Sequence, residues 1–559
     1  MAARPTSGGR GASPLARVLG RLLGLSVCVR LATFALNVAA ARSVPLATWG
    51  EAQVKLHLLT ATVTLLAREG LRRATQGAAD AAARGTDGSW ALRLRPGCAL
   101  AAWLCAPLGA VIAAAAAWVA ANATHDAGLR QAVWINAAGV ALDLLSEPLA
   151  MLLAASLLVD ARVAAEGAAT LARCVTTYIL VARAAAAHTP PSAVPFAWAQ
   201  VAYGATLGLV YTAFCLVRVR GGLGALAPRP PLREASAVLR RAGGFGVQAA
   251  CKLALAEGVK VALVALESSE DELGAFALAD NLGSVVARVL LMPFEEAAFT
   301  AFSKAASVEE EASAGARASA RKGSSSAVGD STRLEAQGAA LSAMLKVALL
   351  VGLLSAAFAP AYAFTALRLL YGEAKASAEG AAAALAAYGA YVAAMALNGT
   401  TEAFVHAVAA PTQLLQGNVA LAAAAVIQAT ICFAWYRATG SLSATGIVVA
   451  NMASMAARTA YSCVAIRAHL RSAAPLRAAV PSAGTLLALG VAGVGTLATQ
   501  QFFGVGPNVG VRAHALHVAC GALALAGVVA VAARAHAREL SRQLHAIGTA
   551  PQKQVKKAD

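Results

Sequence analysis

Apolar runs long enough to cross a bilayer recur along the whole chain, and this recurrence constrains the fold more than any motif does. A helix needs about 20 predominantly apolar residues to span the hydrocarbon, and a chain that crosses repeatedly must satisfy its backbone polar groups internally. Fourteen runs meet that need. They lie near 18–42, 46–68, 98–121, 130–157, 162–187, 194–217, 244–266, 273–303, 338–367, 380–409, 412–436, 441–465, 480–501 and 513–535. Only 13% of the residues are charged, against about 25% in soluble domains, and the mean hydropathy is +0.64. The fold class is therefore an all-α polytopic membrane protein with about fourteen transmembrane helices.

The formal net charge is +18. In a soluble chain this would suggest nucleic acid as a partner. Here the basic residues fall mostly in alternate loops and the tails, as membrane topology requires, and no nucleic-acid partner is expected. Arg72, Arg73, Arg84, Arg93 and Arg95 follow the second run; Arg218, Arg220, Arg229, Arg233, Arg240 and Arg241 follow the sixth. The loop before the eighth run is acidic instead (Glu267, Glu270, Asp271, Glu272). Both termini are accordingly expected on the cytosolic side. The sequon Asn122-Ala123-Thr124 falls in a loop that this rule places on the opposite side, which makes Asn122 a glycosylation candidate. A second sequon at Asn398 lies inside an expected span and should stay unmodified. The nine cysteines are scattered with no metal-ligand spacing, so they read as small buried hydrophobes, and no metal or cofactor is expected.

The eighth run, Leu273 to Lys304, is distinctive because it carries Asp280, Asn281, Arg288, Glu295 and Glu296 among alanines, valines and leucines. Leu46 to Arg73 echoes it weakly: Trp49 aligns with Phe276, Ala52 with Ala279, and Arg68-Glu69 with Glu295-Glu296. This echo implies two parallel six-helix repeats plus a C-terminal helix pair. The boundaries read as an N-terminal half over 1–217, a basic cytosolic linker over 218–243, a second half over 244–465, and an extra helix pair with a basic tail over 466–559. Segment 305–337, rich in Ser, Ala, Gly and charge, reads as a flexible cytosolic loop within the second half. The first run reads as an uncleaved span.

Charge at membrane depth is costly, so polar groups within the runs should face a bundle interior or a watery cavity. Arg30, Arg42, Lys55, Arg68, Arg288 and Arg458 are candidates for receiving an anionic headgroup, since Arg and Lys suit phosphate and Arg adds bidentate geometry. Asn37 shares a helix face with Arg30. Glu69 with Arg73 and Glu257 with Lys260 stand at helical spacings that fit plain structural pairs. Asp280, Asn281, Glu295, Glu296, Asn398 and Glu402 complete the polar set. Asp143 and Glu147-Pro148 interrupt the fourth run. No Ser/His/Asp set and no Gly-rich phosphate loop is present, which argues against an enzyme.

Several of these residues sit in stretches that resemble the eukaryotic Rft family, within the multidrug, oligosaccharidyl-lipid and polysaccharide exporters. They are RLATFALN (Arg30 to Asn37), LLAREGLRRA (Leu65 to Ala74), Ser146 to Pro148, LAEGVK (Leu255 to Lys260), DNLGSVVARVLLMPFEEAAF (Asp280 to Phe299) and NGTTEAF (Asn398 to Phe404). The resemblance implies a multi-pass protein of the endoplasmic reticulum membrane that acts in protein N-glycosylation. The implied substrate is the mannose-rich oligosaccharide on dolichyl pyrophosphate, moved from the cytosolic to the lumenal leaflet. The implied role is either the flippase itself or an accessory factor working with the glycosylation machinery. A cation-coupled drug exporter would need intramembrane carboxylates, and the first run has none; its charges, Arg30 at mid-run among them, are all basic.

Overall fold

A computed structural model describes residues 14–75, 83–84, 90–91, 96–155, 159–219, 222–227, 233–266, 269–299, 302, 326–408 and 411–549. The described residues are helical almost throughout, apart from a two-stranded antiparallel ribbon of β1 (Ala83–Arg84) and β2 (Trp90–Ala91). Helix lies over each of the fourteen expected runs. Among the described residues, nine helices are long and apolar enough to cross a membrane. The helical run that starts at Leu46 falls short of that standard because Glu51, Lys55, Arg68 and Glu69 stand in it. Two compact units make up the molecule: Met1–Pro45 with Leu59–Ala250, and Leu46–Leu58 with Cys251–Asp559.

In the first unit α1 (Pro14–Ser43) packs on α8 (Val159–Ala186), and α5 (Pro96–Asn122) packs on α6 (Ala127–Leu145). Both α6 and α8 pack on α9 (Val194–Arg218). Asp126 starts α6 by accepting the Leu129 N–H at 2.5 Å, where a carboxylate also meets the positive end of the helix dipole. α6 ends at Ser146, whose hydroxyl donates to the Asp143 carbonyl at 2.7 Å. Glu147-Pro148 then opens α7 (Glu147–Ala155), a place where a proline's missing N–H costs nothing. α6 and α9 cross at two glycines: a Cβ on Gly204 would lie 2.7 Å from the Gly139 carbonyl oxygen. Lipid tails are as apolar as leucine, so close backbone approach of this kind is a main source of helix association in membranes.

In the second unit the first turns of the two echoing stretches lie side by side. α2 (Leu46–Gly50) packs on α11 (Glu270–Val286), and a Cβ on Gly50 would come 2.5 Å from the Gly274 nitrogen. Ser269 caps α11 by accepting the Glu272 N–H at 3.2 Å, with three carboxylates in the first turn. Both stretches leave regular α geometry. The Leu46 run turns π-helical over Glu51–Leu56, returns as α3 (His57–Thr64), turns π-helical again over Leu65–Glu69 and ends as α4 (Gly70–Ala74). α11 continues through a π-turn at Ala287–Leu291. Single π-turns inside α-helices gather at functional sites.

A helix of 46 residues, Ser326–Tyr371, follows. The last part of 305–337, expected as a flexible loop, is therefore helical; 305–325 lies outside the described residues. With α10 (Arg233–Ala265) already placed, this long helix is α12. It packs on α13 (Ala381–Val408), which also packs on α11 and on α15 (Ala444–Leu470), and α15 packs on α14 (Pro411–Thr439). The final pair, α16 (Ala483–Phe502) and α17 (Val511–Thr549), docks on α12 through histidines with satisfied nitrogens. His517, fully buried, bonds Thr499 Oγ1 and the Ala361 carbonyl, each at 3.1 Å, and stacks on Tyr362.

Much of the buried interior is alanine, including Ala40, Ala101, Ala117, Ala165, Ala197 and Ala384. Such packing tolerates no added atoms where backbones touch. Gly204→Ala should cost about 1–3 kcal/mol through overpacking. A thermal melt of the detergent-purified protein should fall for Gly204→Ala and stay put for Gly490→Ala, where nothing lies within 4 Å.

Candidate functional site

The expected cations fall into distinct settings. In the first unit, Arg68 and Arg72 converge on Glu147. Arg72 holds both oxygens of that carboxylate, Nη2 to Oε1 at 2.6 Å and Nε to Oε2 at 3.3 Å. Arg68 Nη1 lies 3.4 Å from Glu147 and 4.0 Å from Asp143. Glu147 and Asp143 are almost wholly buried. This is a membrane-embedded ion-pair network in which the break between α6 and α7 sets Glu147 opposite the end of the Leu46 run. Arg68 was expected to await a headgroup, and here it is held by two carboxylates. Sequence spacing shows pairs along one helix and misses partners from another. Arg72 and Glu147 are joined across elements in the same way, and only the presence of Glu147 in an apolar run marks it in the sequence. Glu69 pairs with Arg73 at 2.7 Å, as its spacing implied.

Arg30 and Arg42 are exposed on α1. Asn37, on the same helix, accepts a contact from the Cys174 thiol at 3.6 Å. Asn122 is exposed at the end of α5. The other sequon asparagine, Asn398, is buried, in keeping with its place inside a span.

In the second unit, Lys55 makes an ion pair with Glu270, a partner that spacing could not reveal. Glu257 takes Lys260 at 2.8 Å and His57 at 3.6 Å, which supports the structural reading of the Glu257–Lys260 pair. Asp280 accepts the Tyr388 hydroxyl at 2.9 Å, and the Asn281 amide donates to the Tyr371 oxygen at 3.3 Å. Arg288, exposed and just inside the π-turn, reaches back along its own helix. Its Nη2 donates to the Asn281 carbonyl at 2.9 Å.

Beyond the π-turn the second unit contains a cavity of about 700 Å³. Its polar wall is formed by Glu295, Glu296, Asn398, Glu402, His406 and Arg458. Glu402 sits at the centre. It accepts from Arg458 Nη2 at 2.5 Å and from the Asn398 amide at 2.8 Å, and His406 Nε2 lies 3.5 Å away. Asn398, Glu402 and His406 are successive turns of α13; Arg458 comes from α15. The π-turn rotates the end of the α11 span so that Glu295 and Glu296 face them. Chemically, this wall offers one guanidinium already in a charge-assisted bond, which an incoming anion could share or take over.

Removing one member of a buried ion pair leaves an uncompensated charge and costs about 3–5 kcal/mol, whereas replacing both by apolar groups can be neutral. Arg72→Met and Glu147→Leu should each sharply reduce the yield of monodisperse protein, and the double variant should recover most of it. Fluorescence-detected size exclusion reads all three.

A family model described as Rft protein matches residues 16–546. Among curated proteins, the chain is 28% identical over 495 residues to the Man(5)GlcNAc(2)-PP-dolichol translocation protein RFT1 of Xenopus tropicalis, covering 84% of this chain and 85% of that one. The protein of the same name in Mus musculus is 28% identical over 479 residues, covering 82% of each. Among solved structures, the fold is similar to an inward-facing multidrug resistance MATE family transporter of the MOP superfamily, with TM-score 0.56, 13% identity, and coverage of 79% of this chain and 96% of that one. It is also similar to the lipid II flippase MurJ in an inward closed conformation, with TM-score 0.55, 9% identity, and coverage of 91% and 99%. At these identities the structural likeness speaks for the fold, and the sequence match across nearly the whole chain speaks for the lineage. The chain belongs to the Rft protein family.

Proposed function

We propose that this protein moves a mannose-rich dolichyl-pyrophosphate oligosaccharide across the endoplasmic reticulum membrane, from the cytosolic to the lumenal leaflet. The observation that carries this reading is the cavity of the second unit, whose polar wall includes Arg458. A diphosphate offers pairs of anionic oxygens that the planar fork of a guanidinium can take bidentately, and it would compete with Glu402 for Arg458. Membership of the Rft family and the names of the curated relatives support the substrate class. No catalytic set is needed, because the reaction breaks no bond.

The proposed architecture is fourteen transmembrane helices, arranged as two parallel six-helix repeats and the α16–α17 pair. The repeats would present their inner faces alternately to the two leaflets. The echo between Leu46–Arg73 and Leu273–Lys304 supports this symmetry; π-turns occur in both stretches, at positions the echo does not align. Both termini are proposed to be cytosolic and Asn122 lumenal. A glycan on Asn122, removed by peptide N-glycosidase F and absent from Asn122→Gln, would report that orientation directly; modification of an engineered N-terminal sequon instead would reverse it.

Within this reading Arg458 and Arg288 are the foremost headgroup ligands. Arg30 and Arg42 are exposed cations that fit a recruiting role. Lys55 and Arg68 are held by carboxylates and would be released only as the helices move. Those pairings favour a second reading, a non-transporting accessory factor that keeps the inherited cavity without using it. The experiment is the lipid-linked oligosaccharide profile of cells in which the wild-type chain or a variant replaces the native protein. Arg458→Ala and Arg288→Ala should each accumulate the cytosolic dolichyl-pyrophosphate intermediate and leave glycoproteins under-glycosylated, with protein levels unchanged. Normal profiles in both variants would favour the accessory reading.

A further inference from the structure

An ionised carboxylate at membrane depth needs a cation or several donors; without them it keeps its proton. Other carboxylates of the second unit, within and outside the cavity wall, have partners. Glu257 holds Lys260, Asp280 accepts the Tyr388 hydroxyl, and Glu402 holds Arg458 and the Asn398 amide. Glu295 differs. It is half-buried in the cavity wall, and among the described residues it makes no hydrogen bond and no ion pair. Its carboxyl lies directly against Gly399, where any side chain would collide with it. One residue before Gly399 stands Asn398, 4% exposed, whose amide donates to Glu402 while its Oδ1 is buried without a donor. An acceptor lacking a proton and a carboxyl lacking a cation thus share one stretch of cavity wall. A protonated carboxyl is a donor, and an ionised one is not.

We propose that Glu295 is a proton-binding site, loaded in this conformation, whose proton is exchanged as the Arg458–Glu402 pair opens and closes. With the proton on Glu295, the wall of Glu295, Glu402 and Arg458 is neutral in sum. Without it, the wall carries one negative charge, and Glu295 competes with Glu402 for Arg458. The charged and titratable groups around Glu295 come from several elements. Glu402 and His406 lie on α13, Arg458 on α15, and Glu296 and Arg288 on its own helix. From α12, the residues packed on Ala298 and Phe302 are apolar (Ala340, Leu341), with buried Lys346 further along. The proton site itself stands on this geometry. Its coupling to transport rests on the proposed function: a diphosphate that takes Arg458 from Glu402 would change where a proton is most stable.

Dicyclohexylcarbodiimide, which reacts with protonated carboxyls in apolar surroundings, tests the site on the full-length protein in liposomes, with peptide mass spectrometry as the readout. Glu295 should label at about pH 6 and lose label roughly tenfold by about pH 9, while Glu402, kept ionised by Arg458, stays unlabelled. Arg458→Met should make Glu402 label as well, which shows that the reagent reaches the cavity. Label on Glu402 but not Glu295 in that variant overturns the proposal, as does label on Glu295 that does not change with pH. Glu295→Gln, permanently neutral, tests exchange independently of reagent access. It should be made at the wild-type level yet reduce glycosylation in the replacement assay at least tenfold, and full activity would overturn the coupling. If Arg458→Ala leaves the oligosaccharide profile normal while Glu295 labels as expected, the proton site stands and the substrate assignment falls.

Discussion

The structure depends on one constraint: within hydrocarbon, a charge must find its complement in another part of the protein. Glu147 illustrates it. That carboxylate is almost wholly buried in an apolar helix pair, and two arginines from the Leu46 run close on it. Lys55 and Glu270 meet the same requirement in the second unit, and Arg458 and Glu402 meet it beside the cavity. Each pair joins residues far apart in sequence, so each fixes the packing of one helix on another more sharply than alanine contacts can. Glycines do the complementary work. At Gly139–Gly204 and Gly50–Gly274 they bring backbones close enough for dispersion to hold helices that feel no hydrophobic drive towards one another.

Departures from regular helix set the polar groups on this frame. The π-turns at Glu51–Leu56, Leu65–Glu69 and Ala287–Leu291 stand in the two stretches that also carry the densest intramembrane charge. A π-turn adds a residue to one turn and so rotates everything beyond it. In the α11 span that rotation carries Glu295 and Glu296 to the cavity wall, while Arg288, within the turn, folds back on the Asn281 carbonyl.

The helices were legible in the sequence because apolar runs of spanning length leave little alternative, and the described residues of the expected stretches are mostly helical. Local pairs were legible too: Glu69 with Arg73, Glu257 with Lys260 and Asn398 with Glu402 all follow helical spacing. Partners on different helices were not. Lys55, Arg68 and Arg458 looked unpaired because Glu270, Glu147 and Glu402 lie on other elements, and side-chain spacing carries no information about which helices pack together. The π-turns were equally hidden, since nothing in ARVLL or EAQVKL differs from ordinary helical sequence. The start of α12, over 326–337, was hidden by its charge and serines, which in isolation favour neither state.

The alanine-lined interior has a consequence at the level of the gene. Alanine gives up no rotamer freedom on burial, so a core made of it is inexpensive to order and is held by proximity alone. A single C-to-T change in the second position of any alanine codon produces valine, which adds two methyl groups where backbones are already in contact. At fully buried positions such as Ala101, Ala165 or Ala384 that change would wedge helices apart without introducing any polar group. A chain built this way is therefore most exposed to inherited variants that look conservative on paper, and its tolerance map should follow helix spacing more closely than it follows chemistry.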